Sequence, residues 1–288
     1  SARTSAGVNL ARCRIARAKV KEAIETLQQV VQRDPSLLEA YVLLARCYRD
    51  PAVQDYESAR KVIDDMVAQN HESASAYAQR AAFWWWVSQT TTNPVEAGQA
   101  SAVARKDVAA ALEKSPTHLE ALLVSAEIAV HDGDLTRARE SLALAQKVSP
   151  EDKRVWIAVV NWARLTGDSK NEEIYLKRLV EVDPSWLSDL AELYLSRQPP
   201  DLDATRQVVL RMQRAHFPAQ HLQFWQARLA FLQGDRVKGL RGLEDLYQNI
   251  VRESDPLRER VGLALAEAYL QVGMRESAGA VISQLRES

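Results

Sequence analysis

Two things are missing from this sequence: long hydrophobic runs and an excess of charge of either sign. No apolar stretch approaches the roughly 18 residues of a transmembrane helix, and the chain does not begin with the charged-then-apolar pattern of a signal peptide. The formal net charge is -1, so no overall field favours nucleic acid or an anionic membrane. We therefore expect a soluble protein of the cytoplasm or periplasm that neither inserts into a membrane nor binds nucleic acid, with any targeting signal outside this sequence.

Residue sets for catalysis or metal binding are also scarce. The five histidines fall in different segments, and none has a cysteine or histidine partner at the spacing of metal ligands. The stretch from His131 to Asp134 resembles a metal loop only superficially, because a helix end and a turn explain it. There is no phosphate-binding glycine loop, and no set of Ser, His and acid stands out. We therefore predict a protein that is not an enzyme and holds no metal or cofactor.

What the sequence does contain is a repeated helical hairpin, clearest between Thr117 and Pro150. Gly133-Asp134 marks its middle, since glycine adopts a positive φ at low cost and aspartate can cap the helix that follows. Apolar and small residues recur at helical spacing on both sides of this turn, which predicts two amphipathic helices packed back to back. Proline recurs every 34 residues, at Pro116, Pro150, Pro184 and Pro218. A fixed period of that length indicates a stacked-repeat architecture.

In its period and its pattern of side-chain sizes, the sequence resembles the tetratricopeptide repeat, a helix-turn-helix unit of 34 residues. The positions seven before and five after each turn glycine are mostly small, as in Ala126 with Ala138 and Ala227 with Gly239. Small residues there allow two helices to cross closely. A large apolar residue stands nine after each turn glycine: Leu142, Leu176, Leu243 and Ile282. The resemblance implies an all-α solenoid, a right-handed superhelix of antiparallel helix pairs.

About eight hairpins account for nearly the whole chain, and we predict a single solenoid over residues 1–288, which grows by addition without a second core. The predicted hairpins span about 4–34, 36–70, 72–115, 117–149, 151–183, 185–217, 219–250 and 256–287. The only cysteines, Cys13 and Cys47, lie 34 residues apart, at equivalent points of neighbouring hairpins. Packed helices stand about 8 to 10 Å apart, whereas a disulfide joins Cα atoms up to about 6.8 Å apart. We therefore expect two free, buried thiols.

The third hairpin is irregular, because the 45 residues from His71 to Pro116 exceed the repeat by about 11 at its inter-helix turn. Asn93 as the N-cap and Pro94 at the first helical position predict a second helix that runs to about Lys114. We therefore predict two lengthened helices, with an inserted helical extension near residues 84–104.

Four consecutive aromatic residues, Phe83 to Trp86, lie at the base of this extension. They span about 300° to 400° of a helix, so they cannot all face one hairpin core. Either the longer helices bury all of them, or Trp85 or Trp86 reaches the groove or the extension and serves a partner or self-association. We consider two surfaces for a homo-oligomer: the aromatic arm, formed by Trp85 and Trp86, and the C-terminal end, where no capping helix is predicted after Leu285.

The resemblance also implies a binding surface, because the first helices of tetratricopeptide-repeat hairpins line a concave groove. In that family the positions ten, six, three and two before the turn glycine point into it. The peptide-binding residues implied for this chain are Val42, Arg46, Arg49, Leu123, Glu127, His131, Ile157, Asn161, Arg164, Phe224, Arg228, Phe231, Leu263 and Glu267. Such an apolar groove with interspersed charge suits a helix or an extended segment with hydrophobic anchors. The alternative is that much of this apolar face packs against neighbouring first helices.

Some members of the family hold acidic C-termini of chaperones with a Lys and Asn clamp on this face. The first clamp position is never Lys in this chain, and only Asn161 matches the Asn. We therefore predict a non-catalytic scaffold or adaptor that binds a peptide or helix of another protein, and not a chaperone tail. Two alternatives stay open: a regulatory or sensory segment of a larger protein, and an RNA-binding helical repeat, which would need a basic or base-stacking groove.

Overall fold

The computed structural model describes residues 2–250 and 256–287, and within these ranges the chain is helical with no β-strand. It forms two compact units, Ser1–Trp162 and Ala163–Ser288. In each unit consecutive helices pack as antiparallel pairs, and each pair packs against the next. The predicted fold class, an all-α solenoid of antiparallel helix pairs, is confirmed.

The helices follow the order of the predicted hairpins. The first unit contains α1 (Ala2–Ala16), α2 (Val20–Arg33), α3 (Leu38–Tyr48), α4 (Tyr56–Gln69), α5 (Ala74–Thr90), α6 (Pro94–Lys114), α7 (Leu119–His131), α8 (Leu135–Val148) and most of α9 (Lys153–Thr166). The second unit contains α10 (Ser169–Val182), a 3-10 turn (Pro184–Trp186), α11 (Leu187–Leu195), α12 (Leu202–Arg214), α13 (Ala219–Leu232), α14 (Arg236–Asn249), α15 (Pro256–Gln271) and α16 (Arg275–Glu287).

The turn glycines share a left-handed backbone. Gly133, Gly167, Gly234 and Gly273 have φ values between 71° and 100°, a region in which a Cβ atom is strained. After the first of these turns, the side chain of Asp134 accepts a hydrogen bond of 3.0 Å from the backbone N–H of Arg137 and so caps α8. Asp168 and Asp235 cap α10 and α14 in the same way. The predicted turn and its cap are confirmed.

The irregular third hairpin consists of α5, with 17 residues, and α6, with 21. The side-chain oxygen of Asn93 accepts hydrogen bonds from the backbone N–H groups of Val95 and Glu96, and Pro94 is the first residue of α6. The helix ends at Lys114, as the capping signals predicted. The aromatic run, Phe83 to Trp86, lies in the second half of α5.

The packing of the first unit explains why one cysteine is buried and the other is exposed. Cys47 packs with Leu27 and Leu44 in an apolar cluster of α1, α2 and α3, and burial raises the pKa of its thiol to about 11. Cys13 on α1 is exposed, so the prediction that both thiols are buried is wrong for this residue. The reason is positional, since α3 packs against the hairpin before it, whereas α1 has no preceding hairpin in the described chain. Both thiols are free.

The large apolar position nine after each turn glycine is a core position in three hairpins of four. Leu142, Leu176 and Leu243 are buried, as the pattern predicted. Ile282 is 36% exposed, because in the described chain no further hairpin packs against α16. The filling role assigned to this position therefore needs a following hairpin.

Candidate functional site

A cleft of about 720 Å³ lies in the first unit, between α3, α5, α7 and the first part of α9. We call it the first-unit groove. Eight residues that the sequence placed on a binding surface line it: Arg46, Trp85, Trp86, Leu123, Glu127, His131, Ile157 and Asn161. The helices that supply them are the first helices of four successive hairpins, so the periodicity of the sequence brings these positions together.

Helix α7 forms the centre of the groove and is apolar on most of its circumference. Leu123, Glu127 and His131 are spaced by four residues and therefore lie on one face, one turn apart. Leu123 is only 6% exposed, and it lines the groove. Glu127 and His131 are exposed along the same face. The groove is thus apolar at its base and carries isolated polar groups.

Two tryptophans of α5 form the aromatic wall of the groove. The ring of Trp85 meets the ring of His131 edge to face, with 5.3 Å between the centroids. The guanidinium carbon of Arg46 lies 5.3 Å from the ring centroid of Trp86, on the same wall. The aromatic run therefore divides: Phe83 is core, whereas Trp85 and the half-buried Trp86 both reach the groove.

Glu127 is the carboxylate with the least usual surroundings in the groove. It is exposed, yet the walls around it displace much of its hydration water, and this desolvation raises the pKa of its carboxyl group. The nearby carboxylate of Glu120 raises the pKa further, and a hydrogen bond from the side chain of Trp85 partly opposes both effects. Glu120 itself pairs with Arg154 at 2.7 Å.

Two groove residues, Glu120 and Arg154, were not named in the sequence analysis. They lie 34 residues apart, at equivalent positions of adjacent hairpins, and the ion pair joins α7 to α9. Arg154 also holds Asp152 at 2.7 Å, so its charge is already neutralised by two carboxylates. The repeat period, applied to charged residues as well as to apolar ones, was the signal that could have found this pair.

Two predicted residues of the first unit lie away from the groove. Val42 is half-buried and packs against the core cluster of α3 to α7. Arg49 pairs with Glu96 of α6 at 2.7 Å, and its guanidinium lies over the ring of Tyr56 at 4.8 Å. These contacts place Arg49 in a second, smaller cleft of about 320 Å³, next to Trp84.

In the second unit several predicted residues are engaged in packing or ion pairs. Arg164 bridges Glu172 at 2.6 Å and Asp189 at 2.8 Å. Glu172 itself is buried, and this arginine is its ion-pair partner. Arg164 is therefore occupied within its own unit.

Phe224 and Phe231 of α13 are core residues, at 1% and 6% exposure. The guanidinium groups of Arg228 and Arg260 both lie 5.7 Å from the ring centroid of Phe224 and cover it. Arg228 is held in place by Glu192 at 2.7 Å. The structure does not offer the ring of Phe224 to a ligand.

Leu263 and Glu267 lie on the exposed face of α15. Leu270 follows on this face, and it and Leu263 are each about half exposed. They form a separate exposed stripe within the second unit.

Other classes of site have no counterpart in the described part of the chain. No group of three or more His, Cys, Asp or Glu side chains there could hold a metal ion. None of the helices seen in residues 2–250 and 256–287 is long and apolar enough to cross a membrane.

Comparison with known proteins gives a family match and several structural relatives. Residues 14–82 match the family model of the tetratricopeptide repeat. A tetratricopeptide repeat protein from Parabacteroides merdae has a TM-score of 0.52 at 12% identity, over 92% of this chain and 100% of that one. PilF of Pseudomonas aeruginosa has a TM-score of 0.55 at 15% identity, over 77% of this chain and 95% of its own.

A chain of the APC/C hetero-tetramer Cut9-Hcn1 has a TM-score of 0.57 at 13% identity, and the match covers 96% of this chain but 51% of that one. Identities this low establish a shared fold and nothing about ligands. No curated protein matches the sequence.

Proposed function

This chain is a tetratricopeptide-repeat protein by fold, and from that premise we propose that it is a non-catalytic adaptor that binds a peptide or helix of a partner protein in the first-unit groove. The observation that carries the proposal is the lining of this groove. Trp86 and Ile157 are half-buried and accessible from it, so they can anchor apolar side chains of a ligand.

The size and polarity of the groove support a peptide ligand. At about 720 Å³ it lies within the range of about 300 to 1,000 Å³ that is usual for ligand sites. Its polar groups, among them Arg46 and Asn161, lie around an apolar base and can bind the backbone or polar side chains of a segment. An assembly role also suits the fold, since a chain of the APC/C hetero-tetramer Cut9-Hcn1 shares it.

The charges of the groove disfavour the RNA-binding alternative. Glu120 and Glu127 place two carboxylates on its central helix, and carboxylates repel the phosphate groups that dominate nucleic-acid affinity. Arg154, which lines the same groove, is already paired with Glu120 and Asp152. We therefore keep a protein ligand as the proposal.

A peptide selection tests this function. A displayed library of random peptides is panned on the whole chain, and selected peptides are measured by fluorescence anisotropy against wild type, Ile157→Arg and Val237→Arg. Val237 is exposed on α14 in the second unit and serves as the matched control. We expect Ile157→Arg to weaken binding at least tenfold and Val237→Arg to leave it unchanged. Equal binding by wild type and Ile157→Arg, or no enriched peptide, would refute the proposal.

A further inference from the structure

Glu127 is the central carboxylate of the first-unit groove. The other carboxylate that lines the groove, Glu120, is paired with Arg154 at 2.7 Å. Among the residues that the structure describes, no Lys, Arg or His side chain forms an ion pair with Glu127. Its polar contact is a hydrogen bond from Trp85.

An unpaired carboxylate in these surroundings is costly. Removing water from a charged group disfavours the charge unless a cation or hydrogen-bond donors replace the water. Glu127 has lost hydration to the groove walls and also faces the field of Glu120. A single hydrogen bond from Trp85 only partly offsets this loss. A ligand that brings a positive charge would supply what is missing.

The neighbouring side chains fit the rest of a basic residue. The long methylene stem of Lys or Arg packs well against apolar surface while its charged end binds an anion. Leu123, one turn before Glu127 on α7, and Ile157 on α9 supply that apolar surface. The tryptophan wall attracts cations, as the position of Arg46 over Trp86 shows.

We propose that Glu127 is the recognition site for a Lys or Arg side chain of the bound segment, which is flanked by apolar residues that lie against Leu123 and Ile157. This inference rests on the proposed function, since it assumes that a segment occupies the first-unit groove. The predicted ligand is therefore an apolar segment with a central basic residue. The charge preference is opposite to that of a clamp for acidic tails.

Charge also predicts how binding depends on pH. The charged or titratable groups that line the groove are Arg46 from α3, Glu120, Glu127 and His131 from α7, and Arg154 from α9. Acidification removes the charge of Glu127, whose pKa is raised, and so weakens the binding of a cation. The contribution of Glu127 is the difference between wild type and Glu127→Gln in the pH dependence of binding.

The test is a double-mutant cycle between the protein and its peptide. Peptides selected on the wild-type chain are synthesised with each Lys or Arg kept or replaced by norleucine, and both forms are titrated against wild type and Glu127→Gln. We expect one basic position to be enriched, its replacement to weaken binding to wild type at least tenfold, and the two forms to bind Glu127→Gln alike. Glu181→Gln serves as the control, since Glu181 pairs with Arg211 in the second unit, outside the groove, and it should preserve the discrimination.

The outcomes separate this inference from the function on which it rests. If peptides bind the groove, as judged by loss of binding in Ile157→Arg, but the norleucine replacement costs the same in wild type and Glu127→Gln, the inference is overturned and the adaptor function stands. If the peptides bind Ile157→Arg as tightly as wild type, both the inference about Glu127 and the adaptor function are refuted. Circular dichroism of Glu127→Gln should match wild type, and its free energy of unfolding should be at least as high, because the substitution removes a disfavoured charge.

Discussion

The carboxylate of Asp107 on α6 accepts two hydrogen bonds from the guanidinium of Arg80 on α5, at 2.7 and 2.9 Å. The side chain of Asp107 is only 1% exposed, and Arg80 also holds Asp64 of α4 at 3.0 Å. This arrangement ties the two long helices to each other and to the preceding hairpin. Because Trp85 and Trp86 follow Arg80 within two turns of α5, the same contacts fix the rotation that directs both rings into the first-unit groove.

Replacing Asp107 should therefore destabilise the first unit strongly. Removing one partner of a buried ion pair typically costs about 3 to 5 kcal/mol, and we expect Asp107→Ala to fall near the lower end because Arg80 keeps Asp64. Urea unfolding followed by circular dichroism measures the loss. Asp65→Ala is the control, since Asp65 and Lys61 form an exposed pair at 2.8 Å whose loss should be undetectable. Equal effects of the two substitutions would show that the buried pair has no special role.

The second prediction concerns Gly239, which lies where α13 and α14 cross closely. A Cβ atom at Gly239 would lie 2.5 Å from the backbone N and 2.6 Å from the Cα of Phe231, so the helices would have to move apart. We expect Gly239→Ala to lower the free energy of unfolding by about 1 to 3 kcal/mol, the usual cost of overpacking, despite the better helix propensity of alanine.

Gly279→Ala is the matched control for this substitution. A Cβ at Gly279 on α16 would meet no atom within 4 Å, so alanine should instead stabilise the helix by up to about 1 kcal/mol. Thermal unfolding should therefore move in opposite directions for the two variants. Two shifts of the same sign would mean that propensity, and not the close crossing, decides the effect.

The two thiols give a third prediction. Cys13 is exposed, whereas the thiol of Cys47 is buried and its pKa is raised to about 11, which keeps it protonated and unreactive near neutral pH. A thiol reagent at pH 7.5 should label Cys13 quickly and Cys47 only after unfolding. Mass spectrometry of Cys13→Ser and Cys47→Ser variants measures each rate separately, and fast labelling of native Cys47 would contradict the described core.

The fold could be predicted from the sequence because each repeat contains residues that the backbone of its turn requires. The position of Gly133 demanded a positive φ and that of Asp134 a cap, and both hold in the structure. Side chains that depend on several hairpins were harder to predict. Phe224 occupies a groove position by its place in the repeat, yet Arg228 and Arg260 cover its ring. Spacing defines which way a Cβ atom points, but not which long side chain folds over it.

The first-unit groove shows the same limit. The family resemblance placed Glu127 and Ile157 on one surface, and both residues line the groove. That Glu127 is left without a cation depends on where Arg154 turns, and Arg154 pairs with Glu120 and Asp152. Which carboxylate an arginine pairs with depends on the geometry of the packed hairpins, and the spacing of residues in the sequence does not predict it.

The cap of α7 makes the last prediction, a loss of stability in mild acid. The Nδ1 atom of His118 accepts a hydrogen bond of 3.4 Å from the backbone N–H of Ala121, so the proton is on Nε2, which lies 2.9 Å from the Oγ of Ser75. Desolvation lowers the pKa of His118, against a smaller opposing effect of the Glu120 carboxylate. Protonation of Nδ1 would also turn the acceptor into a donor and remove the cap.

The sign follows from the lowered pKa. The unfolded chain, with an ordinary histidine pKa of about 6.5, binds the proton more readily than the folded chain. The stabilising contribution of neutral His118 is therefore full above about pH 6.5 and falls as the pH drops through the folded pKa below it. His118→Asn keeps a side-chain acceptor at the N-cap but does not titrate. Urea unfolding at pH 7.5 and pH 5 should show a smaller acid loss for this variant than for wild type, and equal losses would assign the acid sensitivity to other groups.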